Sequence, residues 1–501
     1  MTAARVHDVV VVGAGFAGLA ASLALSEAGI DDHLVLEAAA EVGGTWRDNR
    51  YPGVACDIPA PQYTLSRRRR SRWTAPFAPG AEIRDYLRDI AAEPGVAERL
   101  RTSTPLSSAA WDEAAGLWRI TTPRGLLATR ALILCAGRFG SPLVPDVPGY
   151  GSFGGDIVHS ARWRDDAAID GADVVVVGTG ASAVQIVPRL AGRAARLTVL
   201  QRRAPWILPR TVGTGEDGAP ATPPGSALLA QDAAFPRRLR GSTAQRAVAD
   251  AARAHRERQL SSPLLRSALE PRDEAGCRRV LFSDDFYPAL ERADVALEPS
   301  GLAAIGRDGV VTAAGRTIPA DTIVLATGFD VRAQPYAPLI TGGRGTTLAE
   351  SWSDGMRSVG GIAVPGFPGM FVVNGPQGTL GHGSALLAIE AQLDGIVRLL
   401  LGTRGPVRAS DRDARAWRER VHSLAGRTVW SGGCRSWYLD ADGSPGLLWP
   451  GRAAELRDHL DDAVATLRAS SLAAEPPTLS HSSPSPAPDA TGRPPQIGQR
   501  P

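Results

Sequence analysis

Cysteine is scarce in this chain: four residues in 501, far apart at Cys56, Cys135, Cys277 and Cys434. No Cys-x-x-Cys occurs and no histidine stands near a cysteine at metal-ligand spacing. The pattern therefore predicts no disulfide scaffold, no metal site and no redox-active dithiol. Long apolar runs are missing too, and none approaches the roughly 20 residues of a membrane span. The early residues lack the basic, apolar and small-residue regions of a signal peptide, so the cytoplasm is the expected compartment. Neither sign of charge dominates, since 55 basic against 52 acidic residues leave only +3. That is too little over this length to argue for nucleic acid or a membrane surface. The one basic cluster, Arg67–Arg70 with Arg72 and Trp73, has no companion block and reads as a solvated loop. What remains is the composition of a soluble globular protein, on a length for two or three domains.

Two glycine-rich turns are present, each behind a run of valines. Asp8-Val-Val-Val-Val12 leads into Gly13-Ala-Gly15-Phe16-Ala-Gly18, and Asp173-Val-Val-Val-Val177 leads into Gly178-Thr179-Gly180-Ala-Ser182-Ala183. Strand, turn and helix in that order make a dinucleotide site. The first glycine permits the tight turn, the second lets a pyrophosphate approach the backbone, and the third position packs helix on strand, where Ala183 is tolerated. The phosphates then rest on the helix N-terminus. After the first turn, the strand His33–Leu36 ends in Glu37, an acid placed for the hydroxyls of an adenosine ribose. After the second, Val199-Leu-Gln201 is followed by Arg202 and Arg203 with no acid. Two arginines there suit a 2′-phosphate, so NADPH is expected rather than NADH.

Between the turns lies Phe153-Gly-Gly155-Asp-Ile-Val-His159-Ser-Ala-Arg-Trp163. Ahead of it, Gly43-Gly44-Thr45-Trp46 runs on through Tyr51-Pro-Gly53 and Cys56 to Asp57. The first resembles the fingerprint F-x-G-x-x-x-H-x-x-x-W of the Baeyer–Villiger monooxygenases. The second resembles that family's motif [AG]-G-x-W-x-x-x-x-[FY]-P-[GM]-x-x-x-D at every defined position. Arg164 stands where the family usually has Pro or Asp. Gly276-Cys277-Arg278-Arg279 is similar to the family segment Gly-Cys-Lys-Arg, with Arg278 in place of the lysine.

The resemblance implies an FAD- and NADPH-dependent enzyme in which FAD, reduced by NADPH, takes up O2 as a C4a-peroxide that attacks a ketone and leaves an ester or lactone. It implies Arg279 and Asp57 as catalytic residues. It further implies Gly44, Thr45, Trp46, Cys56, Asp57 and Tyr63 along the flavin, beside Gly13, Gly15, Phe16, Gly18 and Glu37. For NADPH it implies Gly178, Thr179, Gly180, Ser182, Ala183, Gln185, Arg202, Arg203, Arg278 and Arg279. His159 reads as a buried hinge histidine donating a ring N–H to a backbone carbonyl, with Phe153 and Trp163 wedging the interdomain crossing. The expected partners are a small ketone and O2, without nucleic acid, membrane or metal. A nitrogen- or sulfur-oxygenating flavin monooxygenase is the nearest alternative, opposed by Trp163 and by the complete second motif. A disulfide reductase is opposed by the missing Cys-x-x-Cys.

The expected fold is α/β, with two Rossmann-like dinucleotide-binding domains and a helical insert. The FAD domain runs over 1–147 and resumes over 321–468. The NADPH domain occupies 148–320, with the insert at about 205–275, where Pro220, Pro223, Pro224 and Pro236 break the helical pattern. A Ser/Pro-rich tail over 469–501 is too polar to bury a core and is expected to be disordered.

Overall fold

A computed structural model describes residues 5–70, 72–210, 232–332, 334–440 and 442–473. The proline breaks expected at 220, 223 and 224, and the tail from 474 on, lie outside the described residues. Two large sheets, one mixed and one parallel, organise the chain. In the first, Val6–Val12 pairs in parallel with His33–Leu36 on one side and Gly125–Leu134 on the other. Valines 9 to 11 are at most 1% exposed, as β-branched residues should be in a strand covered on both faces. Gly125–Leu134 changes partner along its length. Its first half pairs antiparallel with Leu117–Thr122, and its second half pairs with Met370–Val372. Ile340–Thr341 also joins this sheet, so the later chain does return to the earlier one.

The second sheet is wholly parallel, in the order Val295–Glu298, Arg196–Leu200, Asp173–Val177, Thr322–Leu325, Asp156–His159. The expected boundary at 320 is therefore corrected. Thr322–Leu325 lies inside the second sheet, hydrogen-bonded to Asp173–Val177 and Asp156–His159, and the chain leaves that sheet only afterwards. A strand run of this kind looks the same in sequence whichever sheet receives it.

The Phe153–Trp163 stretch is also more than a linker, since Asp156–His159 is the edge strand of that sheet. A Cβ at Gly155 would stand 2.0 Å from the Asp321 carbonyl oxygen, so the approach of the neighbouring strand requires glycine there. Trp163 packs in the second core together with Tyr51 of the earlier motif.

The insert is not wholly helical. Ile207–Leu208 pairs with Leu281–Phe282, and the helices Thr243–Gln259 and Pro263–Ala268 lie between them. The helix Ala453–Ala473 carries through the first residues of the expected tail, because Leu456, Leu460, Val464 and Leu467 bury one face of it. Among the described residues no helix is long and apolar enough to cross a membrane. Three arginines of the basic cluster are paired rather than merely solvated. Arg67 pairs with Glu27 and Asp394, Arg68 with Glu93, and Arg70 with Glu82.

Candidate functional site

The two glycine turns present themselves in the same way. The helices Phe16–Glu27 and Ala181–Leu190 start at Gly15 and Gly180, with no side-chain cap and no acid in the first turn. Their first N–H groups are thus left for an anion. A Cβ at Gly180 would meet nothing within 4 Å, and one at Gly15 would meet only Gly44, at 3.6 Å. At Gly18 a Cβ would fall 1.8 Å from the Gly13 carbonyl oxygen, which closes that position to any side chain. Both turns are cradles that pyrophosphates fit.

Around the first turn, Glu37 is 5% exposed and accepts from Ala14 N at 2.8 Å, Ala39 N at 2.9 Å and Arg47 Nη1 at 2.7 Å. A carboxylate with about four acceptor sites keeps one for a ribose hydroxyl. Trp46 Nε1 donates to Tyr63 Oη at 3.1 Å, and Phe16 meets the Tyr63 ring at a centroid distance of 5.1 Å. Phe16, Trp46 and Tyr63 thus form an aromatic box beside Gly44 and Thr45. Burial pushes the Tyr63 hydroxyl well above its ordinary pKa and the Cys56 thiol up to about 12. Cys56 behaves as a packed residue whose thiol donates to the Ile58 carbonyl at 3.1 Å.

Around the second turn, the Thr179 hydroxyl donates to the Arg203 carbonyl at 3.0 Å, fixing the turn to the arginine pair. Arg202 and Arg203 are exposed, and among the described residues neither forms an ion pair. Arg278 is held differently, with Nη2 at 2.7 Å from Asp273 and 3.2 Å from the Ala204 carbonyl. Gln185 is engaged by the first unit. Its Oε1 accepts from Tyr51 Oη at 3.0 Å and its Nε2 donates to the Ala55 carbonyl at 3.0 Å. Ser182 hydrogen-bonds the same tyrosine, and burial raises the Tyr51 pKa. The 51–57 segment is thereby clamped onto the second dinucleotide helix.

That clamp places Asp57 against Arg279. The carboxylate accepts from Nε and, at 2.8 Å, from Nη2 of the guanidinium. Nη2 also faces the Gly383 carbonyl at 3.5 Å, just before the helix Ala385–Gly402. Burial pulls the Arg279 pKa down, but the charge and hydrogen bonds of Asp57, with a hydrogen bond to Tyr438, outweigh it and leave the pKa raised. This cation stays charged at any working pH.

His159 is 7% exposed, and its Nδ1 accepts from Ala161 N at 3.0 Å. Burial lowers its pKa, and its ring hydrogen-bonds the Gly328 backbone, so it is a buried histidine with its ring hydrogen-bonded.

Two features escaped the sequence reading. Tyr438 is 1% exposed, lies against Trp437 with ring centroids 4.1 Å apart at a 31° tilt, and hydrogen-bonds Arg279. It lies in an aromatic stretch that sequence alone gives no role. Cys277 and Cys434 are joined in a disulfide, with Cα atoms 6.5 Å apart, a single bond where the cysteine spacing points to no disulfide scaffold. The bond ties the segment of Arg279 to the segment of Tyr438, and a separation of 157 residues hides such a pair from spacing rules.

Residues 10–211 match the pyridine nucleotide-disulphide oxidoreductase family. Over 472 residues the chain is 38% identical to a Baeyer–Villiger monooxygenase of Streptomyces coelicolor, covering 90% of this chain and 91% of the relative. Identity to a Baeyer–Villiger monooxygenase of Pseudomonas aeruginosa is 34%, covering 90% and 88%. An oxidised steroid monooxygenase bound to NADP superposes with a TM-score of 0.77 at 28% identity, over 92% of this chain and 98% of that one. The cyclohexanone monooxygenase of Rhodococcus sp. Phi1, bound to NADP+, shares the fold with a TM-score of 0.80 at 23% identity, over 93% and 98%.

Proposed function

The chain belongs to the Baeyer–Villiger monooxygenases, and from that premise we propose how its own residues divide the work. The enzyme takes a ketone, O2, NADPH and a proton to an ester or lactone, water and NADP+. The carrying observation is the two-point Asp57–Arg279 pair, assembled across the two units that bear the glycine turns.

Bound FAD supplies the oxygen-carrying redox chemistry and NADPH supplies the hydride. FAD would lie along the Gly13–Gly18 turn with its ribose on Glu37 and its ring beside Gly44, Thr45, Trp46 and Tyr63. NADPH would lie along the Gly178–Ala183 turn with its 2′-phosphate on Arg202 and Arg203. Arg279 holds positive charge where the substrate carbonyl oxygen becomes negative, and a fixed cation that needs no reorganisation lowers that barrier. Asp57 aims the guanidinium and compensates its charge between turnovers, and Tyr438 restrains it from the other side. Oxygen transfer to an amine or sulfide lone pair builds no oxyanion on the substrate, so the alternative leaves this cation without a task.

We propose the domain division at 1–147, 148 to about 330 and onward to about 473, moved from the first expectation by the strand Thr322–Leu325. We also propose the cytoplasm as the compartment. The Cys277–Cys434 bond counts against that compartment, because cytosolic thiols are normally kept reduced, and the state of these two thiols in freshly lysed cells tests it.

The deciding experiment incubates purified enzyme with NADPH, O2 and a panel of linear, cyclic and aryl ketones, beside tertiary amines and dialkyl sulfides, and measures product mass. Esters heavier than the ketone by one oxygen are expected. Oxygenated amines or sulfides without any ester would overturn the reading.

A further inference from the structure

Arg238 differs from the arginines gathered around the Asp57–Arg279 pair. Arg278 pairs with Asp273, Arg240 with Glu274 and Arg279 with Asp57. Among the described residues Arg238 has no carboxylate partner, and its Nε is buried without a hydrogen bond. Its guanidinium lies against Gly276, where a Cβ would stand 2.5 Å from Nη1 and 3.4 Å from Cζ. Gly276 is three residues before Arg279.

Arg238 closes the 3₁₀ turn Phe235–Arg238. Residues three apart in such a turn share a face, and the other member of that face, Phe235, packs on His382 with ring centroids 5.6 Å apart. His382 adjoins Gly383, whose carbonyl faces Arg279. The turn therefore lays one ring and one guanidinium over the wall that carries Arg279. It is anchored from outside by Arg240 N donating to the Arg427 carbonyl at 3.0 Å and by the bridge between Leu239 and Thr428.

Burial pulls the Arg238 pKa down to about 10, against an opposing pull from Tyr438 and with the like charges of Arg279 and Arg237 adding to the fall. Arg238 is half-buried, and holding a cation partly out of water beside a second cation is costly unless an anion meets it. The anions of the cofactor have other receivers in the reading above, namely the Gly178 turn, Arg202 and Arg203.

We propose that Arg238 receives a carboxylate carried by the ketone, so that the favoured substrates are keto acids held with the carboxylate on Arg238 and the carbonyl toward Arg279. A guanidinium meets a carboxylate through two parallel hydrogen bonds, which fixes orientation as well as affinity. This specificity role rests on the monooxygenase reading.

The test uses the holoenzyme with a keto acid and its methyl ester as a matched pair, in the wild type, Arg238→Gln and Arg238→Lys. Two readouts are taken: kcat/KM for each substrate, and binding of the acid to oxidised enzyme with NADP+, followed by the change in flavin absorbance. The wild type should prefer the acid. Arg238→Gln should lower the acid-to-ester ratio of kcat/KM and the affinity for the acid by about 10- to 100-fold, the scale of a charge-assisted contact. Arg238→Lys should restore part of both. An unchanged ratio overturns the proposal. So does a rise in KM for NADPH that is the same with either substrate, which would make the bound anion a phosphate of the cofactor. If no ketone is converted, the monooxygenase reading fails, and the binding titration still decides whether Arg238 holds a carboxylate.

Discussion

Arg279 and Asp57 stand 222 residues apart in the chain and meet through two parallel hydrogen bonds. The guanidinium comes from the segment entering Leu281–Phe282, and the carboxylate comes from the loop that Gln185 clamps. Each partner is placed by a different dinucleotide unit, so the pair reports whether the two units are docked.

Removal of the cation should separate the two halves of the reaction. Hydride transfer builds no oxyanion on the substrate, whereas oxygen insertion does. Arg279→Ala should lower ester formation by about 10²–10³ or more, while bleaching of the flavin by NADPH under argon persists. Stopped-flow absorbance beside a product assay in air checks this. Substantial ester from the variant would give the role to another cation, Arg278 first.

Cofactor choice should follow the exposed arginine pair. In the double variant Arg202→Ala, Arg203→Ala, the preference for NADPH over NADH should fall by tens-fold or more, since each charged phosphate contact contributes roughly 1.5–3 kcal/mol. Steady-state KM for both nucleotides measures it. A double variant that still rejects NADH would place the 2′-phosphate elsewhere.

Glu37 is a shared group, holding the Ala14 and Ala39 amides and Arg47 as well as the proposed ribose. Glu37→Ala should weaken FAD binding by about 1–3 kcal/mol, the scale of a lost hydrogen bond to a buried partner. Glu37→Gln should cost less, because the amide keeps one acceptor. Flavin retention on dilution and dialysis reads both, and unchanged retention in the alanine variant would remove Glu37 from the ribose site.

Stability should fall in acid because of two histidines. Burial lowers the pKa of both His33 and His159 from an ordinary value of 6.5. Above pH 6.5 both are neutral, folded or unfolded. Below it the unfolded chain takes up protons that the folded chain refuses, so stability declines until the lowered folded values are passed. Melting temperatures measured downward from pH 8 should drop from about 6.5, and the drop should be shallower in His159→Gln. An equal slope in that variant would assign the effect to other groups.

The Cys277–Cys434 bond predicts two titratable thiols, Cys56 and Cys135, when the protein is denatured without reductant. Reduction should destabilise the fold by about 2–5 kcal/mol, the usual range for a bond closing a long loop, read by denaturant titration. In the folded protein Cys56 should resist alkylation, because burial holds its thiol at a pKa of about 12 and only the thiolate reacts. Four titratable thiols would remove the bond.

Much of this protein is legible in the order of its residues because its strongest signals are local. A valine run, a glycine turn and a helix form one contiguous unit, and the end of the next strand carries Glu37 in one case and Arg202 with Arg203 in the other. The motif from Gly43 to Asp57 is likewise a single stretch of backbone. Other features exist only after folding. Thr322–Leu325 reads as a strand, but its place between Asp173–Val177 and Asp156–His159 depends on which partners offer free hydrogen bonds. Arg67, Arg68 and Arg70 read as a solvated run until Glu27, Glu93, Asp394 and Glu82 arrive from distant elements. Cys277 finds Cys434 across 157 residues of chain, and Arg238 reaches the wall beside Arg279 only once the insert has folded. Periodicity and spacing record how a residue relates to its near neighbours along the chain. The pairing of charges and thiols depends on distance in space, which the packing of two sheets and an insert decides.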